Sequence, residues 1–427
     1  MGGKGTILVV MGFAISFLVF GRNFLNLTNR SSDNVVEYYS ETKAHNIAVS
    51  AANFACNELF MDRTWNSGYS KTTFQEGEYE VIVRDTLVDC KVVEAIGYYN
   101  DIKDVVRIVL QPSSYAKFAW YTGNMSSKIF ITGDTVYGPF HTQSELNVGG
   151  DAVFWGKATT LKGIKYVDKS AKPKFYGGVE HGVDIPLPVN YQFDTERNAA
   201  IDGVNNHGGS SYFENTDVWL TFFDDGTVEY RTGTGPDSST YSAPVRESLS
   251  SFAPNGVVYL KKGDIYMSGT LKGKLTVGSG ESSGTGNGNV YLVDDIVYPD
   301  DPMVWDSGEQ KYIPNEDCEN MLGILATNNV IIADNDANVL NKDIRVDASI
   351  FCAQGGFKME NSTIPPSGTL YLRGGVVAAK EEILATTKKD ALTHGYKKFV
   401  IFDERLMLNL PPAFPNTGKL EVMSWYE

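Results

Sequence analysis

Residues 5–21 carry no charge, and no other feature limits the fold of this chain so tightly. Lys4 precedes the run and Arg22 follows it. A helix of that length rises about 25 Å, near the lower edge of what spans a bilayer. The helical pattern then continues, because no proline occurs before Pro112. Ala44, Ala48, Ala51 and Ala55 recur with Ile47 and Leu59 at three- and four-residue steps, which places them on one helix face. The spacing predicts a single membrane or filament-core helix within 1–63, about 80 Å long. Its alanine-rich face lets a neighbouring element approach closely. One compact domain cannot cover such a helix along its length, so the apolar first third requires lipid or copies of itself. Ile7, Val10, Phe13, Phe17, Phe20 and Phe24 are its large side chains, and Gly12 and Gly21 are where a second helix can come close.

Past the helix the signals turn to strand. The chain has 427 residues, too many for one ordinary core, and its 42% hydrophobic and 12% aromatic content is ample to fill more than one. Its 42 glycines suit short strands and turns better than a helical bundle. Residues 64–75 read as a linker. The β-branched runs 79–84, 90–98 and 105–110 predict a three-stranded antiparallel sheet within 64–112, packed on the helix. Pro112 closes that unit. Over 113–427 the strand signals shorten, with glycine at the bends. That pattern suggests a large β-solenoid-like domain (a parallel β-helix), with a β-sandwich as the competing arrangement. Residues 192–250 fit least well. Asp224-Asp225-Gly226 marks a hairpin between glycine-rich loops, and the segment is expected to project as an insertion. The predicted class is α+β, mostly β.

A formal net charge of −15 argues against nucleic acid, whose phosphates need a basic surface. The four cysteines, Cys56, Cys90, Cys318 and Cys352, lack the close spacing of a zinc or redox site. In an exported chain the preferred disulfides are Cys56–Cys90 and Cys318–Cys352, although three connectivities exist and four buried thiols are the alternative. His141, in a Gly-Pro-Phe-His-Thr turn, has no nucleophile or carboxylate at a catalytic spacing and reads as a side chain that pins the turn. Asp334, Asp336 and Asn338 open like a calcium loop. Val339 then stands where glycine should be and Arg345 where the bidentate glutamate should be. A structural calcium there is the one cofactor candidate. Asp294, Asp295, Arg345 and Asp347 are the set that polysaccharide chemistry on a solenoid would use. Nothing in their linear order makes them converge, so no enzyme is expected. Tyr212, Phe213, Trp219 and Tyr230, in the insertion, are candidate contacts to surface glycans.

Lys4-Gly5-Thr6-Ile7-Leu8-Val9-Val10, leading to Ala51-Ala52-Asn53-Phe54-Ala55 and then a sheet, resembles the type IV pilin superfamily, PilX-type minor pilins in particular. Gly133-Asp134-Thr135-Val136-Tyr137-Gly138-Pro139, Gly263-Asp264-Ile265-Tyr266-Met267 and the tail with Phe402-Asp403-Glu404-Arg405-Leu406 are similar to passages in large pilin-like surface proteins. The resemblance implies a subunit anchored by its helix in the bacterial cytoplasmic membrane before assembly. Type IV pilus assembly machinery would then pack it with copies of itself, as a homopolymer, in an extracellular filament. The β domain would be exposed for adhesion. The alternatives are a single-pass anchored adhesion module and a minor tip pilin that does not form the filament body.

Overall fold

The computed structural model describes residues 3–86, 90–188, 191–280, 287–339, 342–363, 366–388 and 391–427. They fall into two compact units, Met1–Ser113 with Gly418–Glu427, and Ser114–Thr417.

In the first unit, α1 (Gly3–Met61) is continuous, and its buried positions begin only at Ser40. From there Ala44, Ile47, Ala48, Ala51, Ala52, Ala55 and Leu59 form one stripe against a sheet. The sheet has five strands, in the order β1 (Tyr69–Phe74), β2 (Gly77–Thr86), β3 (Cys90–Tyr99), β4 (Ile102–Ser114) and the C-terminal strand Asn416–Tyr426. β1 to β4 pair antiparallel. The expected three-stranded sheet is therefore wider by one strand on each side. β1 lies partly in the segment read as a linker, and its Tyr69 and Phe74 pack on the core. The opposite edge comes from the far end of the chain, and its Leu420 and Trp425 join the same core. No local signal at residue 110 could have announced a partner some 300 residues on.

The second unit is built from short strands that pair in parallel stacks, and their spatial order is not the chain order. One stack runs Tyr212–Glu214, Val257–Lys261, Lys274–Gly280, Met321–Ala326, Ile344–Cys352 and Pro366–Lys380. It continues into Trp120–Asn124, Phe140–Thr142, Ala158–Thr160 and Val179–His181. A second stack runs Asp217–Phe222, Ile265–Thr270, Val290–Val297, Val330–Ile332 and Phe357–Met359. A third takes in Ile344–Cys352, Pro366–Lys380, Ala391–Phe402, Thr135–Tyr137, Val153–Phe154 and Lys174–Phe175. Apolar residues align in columns along the stacks. One column is Val258, Val277, Ile324, Ile350, Val376, Trp120, Phe140 and Ala158, all buried.

The chain thus enters at the middle of the stacks and advances to one end at His181. It then returns along the outside, starts again at the opposite end with Tyr212, and builds back to its own starting point. The return segment is tied down as it passes. Tyr121 donates to the Ile185 carbonyl at 2.7 Å, Tyr115 to that of Pro186 at 3.0 Å, and Tyr191 packs on Phe351. Residues 192–250, expected to project, instead form the far end of the stacks. They hold the helix α2 (Asp194–His207) and strands that pair in parallel with Val257–Lys261 and Ile265–Thr270.

The two chain segments meet where Val376 pairs with Trp120 and Val400 with Val136. This seam is held by buried charge. The Lys398 ammonium donates to Glu381 at 2.7 Å and lies over the Phe130 ring, and Trp120 Nε1 donates to the other Glu381 oxygen at 2.8 Å. Asp134 accepts the backbone N–H groups of Lys398 and Ile131, and burial pushes its carboxyl above the usual range. Removing one partner of such a buried pair strands the other charge, at a cost of about 3–5 kcal/mol.

Candidate membrane and assembly interface

The two parts of α1 differ in what covers them. Ahead of Ser40 the helix rises about 55 Å with no buried position. Phe13, Phe17, Phe20 and Phe24 are all exposed, Phe17 to 74%, with Ile7 and Val10 beside them. A Cβ added at Gly12 or Gly21 would meet open space, so either glycine would let a second helix approach to backbone contact. The helix is long and apolar enough to cross a membrane, with a mean hydropathy of 1.9 over its most apolar window. Leu25, Leu27, Val35 and Val36 continue the exposed apolar surface beyond the charge-free run.

From Ser40 onward the helix is spent on its own sheet. Ala44, Ala48, Ala51 and Ala55 are fully buried. At the tightest point Gly97 of β3 faces α1, and any side chain there would collide with the backbone of Ala44 and Ala48. Polar bonds frame the alanine stripe: His45 Nδ1 lies 2.7 Å from Asp104, and Asn100 donates to Ser40 at 3.1 Å. Tyr69 donates to Glu58 at 2.9 Å. Sequence reasoning missed Gly97, yet a signal existed. A lone glycine inside Ala95-Ile96-Gly97-Tyr98 is what close backbone approach to a strand looks like.

The other candidate residues have structural partners. His141 sits in a strand, not a turn, with Nδ1 2.8 Å from Thr159 and Nε2 3.0 Å from Gln143, stacked near Tyr121. Burial holds its pKa below the usual histidine range. Asp347 is fully buried and grips Arg373 through both oxygens, at 2.6 and 2.8 Å, while Arg345 pairs with Asp295. The watched carboxylates therefore divide between two ion pairs. The calcium candidates do not converge either. Asn338 is buried and donates to the Leu292 and Ala333 carbonyls, while Asp334 accepts from Asn361. Among the described residues no cluster of three metal-ligating side chains occurs.

No disulfide joins the four cysteines. For Cys318 and Cys352 the register explains why. Cys352 pairs with Ala326, at the opposite end of the strand Met321–Ala326 from Cys318. That strand puts roughly 17 Å between them, against the 7 Å or less a disulfide tolerates. Cys56, on α1, and Cys90, at the start of β3, lie on elements that pack together and are not bonded. The aromatics proposed for glycans are partly buried by their neighbours. Trp219 stacks on Tyr266 at 5.2 Å, Tyr212 lies parallel to Tyr259, and Phe213 packs with Tyr230 and Phe252.

No protein-family model and no curated protein matches this chain. Among solved structures it is similar to the competence-associated pilin ComZ from Thermus thermophilus. That likeness has 13% sequence identity and a TM-score of 0.36, and covers 91% of this chain and 97% of the other.

Proposed function

We propose that the chain is a membrane-born subunit of a type IV pilus-like surface filament and not an enzyme. The exposed first part of α1 carries this reading, because nothing in its own unit covers those phenylalanines. Lipid of the cytoplasmic membrane covers them after synthesis, and copies of the same helix cover them once pilus assembly machinery has built the filament. Gly12 and Gly21 set how close those copies come. The parallel stacks support reading the second unit as a β-solenoid, which the filament presents for contact with surfaces.

One observation favours the rival, a single-pass anchored adhesion module. The alanine face that could have received a neighbour is already filled by the chain's own sheet. Filament packing must therefore use the helix ahead of Ser40. The test is electron microscopy of material sheared from expressing cells, labelled with an antibody to the second unit. Filaments labelled along their length support the proposal. Label at filament ends only makes the chain a minor tip component, and protein that stays in the membrane fraction without labelled filaments overturns assembly altogether. Gly12→Leu is expected to abolish filaments while the second unit keeps its fold, and normal filaments from that variant would count against helix packing.

A further inference from the structure

The stacks of the second unit end in unlike ways. At the Tyr212 end, Asp217–Phe222 is paired on its outer side by Thr227–Gly233, and that strand by Val245–Ser248. Phe252, Tyr230 and Phe213 pack together beneath, and Asn255 ties α2 to this end through Asp202 and the Ala199 carbonyl. That end is capped. At the other end the last level consists of Ile164–Tyr166, Lys174–Phe175 and Val179–His181. Among the described residues each of these strands pairs only with levels below it. Solenoids normally close both ends with polar caps, since an open strand edge is a template for another chain.

Two columns stop abruptly at this bare level. The buried apolar column that passes through Phe140 and Ala158 ends on Val179, which is 40% exposed. The ring column Tyr137, Trp155, Tyr176 is stacked face to face at 5.4 and 4.3 Å. It ends on Tyr176, 57% exposed, with no further ring on it among the described residues. Tyr166 and Val167 are exposed on the same level. Because the inner rings cover one another's faces, only the last one has a face to offer. This is the surface a following level would cover.

Charge says whose level that is. Over 114–188 the chain has eight lysines against six acidic residues, although its total is −15. Lys165, Lys169, Lys172 and Lys174 are exposed near the bare level. Over 191–250, at the capped end, ten acidic residues face three arginines and no lysine. Two bare ends would repel each other, whereas a bare end and a capped end attract. We infer that the bare level docks the acidic capped end of a second copy of this chain, head to tail. Such a contact is heterologous and repeats along a line. It uses none of the α1 surface on which the filament proposal rests.

The test uses the full chain in detergent micelles, with a photo-crosslinking residue replacing Val179. Cross-links are expected to land within 191–250 of a second copy. Dimer formation, followed by sedimentation velocity, is expected to weaken at least ten-fold in Lys172→Glu/Lys174→Glu and to fall as salt rises. Mixing that variant with Asp224→Lys chains should restore pairing. All three positions are exposed, so each variant is expected to keep the parent's circular dichroism melt. Cross-links confined to 164–181 of the other copy would overturn the inference. So would association that ignores salt and both reversals, which would belong to α1 and leave the filament proposal standing. Filaments that persist in the lysine double variant, without the Val179 cross-link, would separate the two in the same way.

Discussion

The two parts of α1 share a backbone and differ in side-chain size, and that difference assigns them opposite jobs. Before Ser40 the helix carries phenylalanine, leucine and valine, too bulky for a sheet to approach and too apolar to leave in water. After Ser40 it carries alanine, small enough for the sheet to come within backbone contact at Gly97. Burying an alanine removes little apolar area per residue, at about 25 cal/mol per Å². The docked part must therefore gain from close, continuous contact and from the His45–Asp104 and Asn100–Ser40 bonds at its border. The exposed part keeps its large side chains for lipid or for another helix. A long helix of one composition could not have done both.

The strongest way to break the comparison is to thicken the sheet where alanine allows it in. Gly97→Leu is expected to destabilise the first unit by about 3 kcal/mol or more, because its side chain would displace α1 backbone and not a flexible side chain. Chemical denaturation followed by circular dichroism reads this directly, and an unchanged midpoint would mean that the helix is not clamped there.

A pH series sharpens the comparison by moving the other unit alone. Glu196, buried on α2 beside Tyr191, has its pKa pushed up to about 7 by desolvation. The folded state then holds a proton that the unfolded state has released, so stability falls as pH rises from about 4.5 to 7 and is level above that. The expected loss is about 3 kcal/mol in the second unit, absent in Glu196→Gln, with no matching change in the docked helix.

In the exposed part, Phe17→Asp is expected to cost about 3 kcal/mol of membrane insertion, roughly a hundred-fold in partitioning into vesicles. Stability of the docked part should be unchanged in the same variant. At the small end, Phe24→Ala should shift folding stability by less than about 0.5 kcal/mol, since Phe24 is 74% exposed. A larger shift would show that the two parts of the helix are coupled.

Much of the helix was legible because its causes are local. Absence of charge and of proline, with alanine at three- and four-residue steps, is a statement about neighbours in sequence. The strands were legible one at a time, as in 79–84 and 105–110, but their company was not. β1 was hidden among polar linker-type residues, and Asn416–Tyr426 joins a sheet whose other strands lie far behind it in sequence. Cys318 and Cys352 looked like a local pair because they are near in sequence. Register settled the matter by placing them at opposite ends of one strand.

The sequence by itself determined the long helix, its exposed apolar start, its alanine face and the strand-rich character of everything after it. Only the tertiary structure decided the order in which levels stack. It set Val376 against Trp120 and Lys398 beside Asp134, and it left one end of the second unit bare. The physical reason is degeneracy. Short apolar strands offer nearly the same pattern to many partners, so the choice among them rests on long-range packing, buried ion pairs and the path of the return segment. None of these is written in any one stretch of chain.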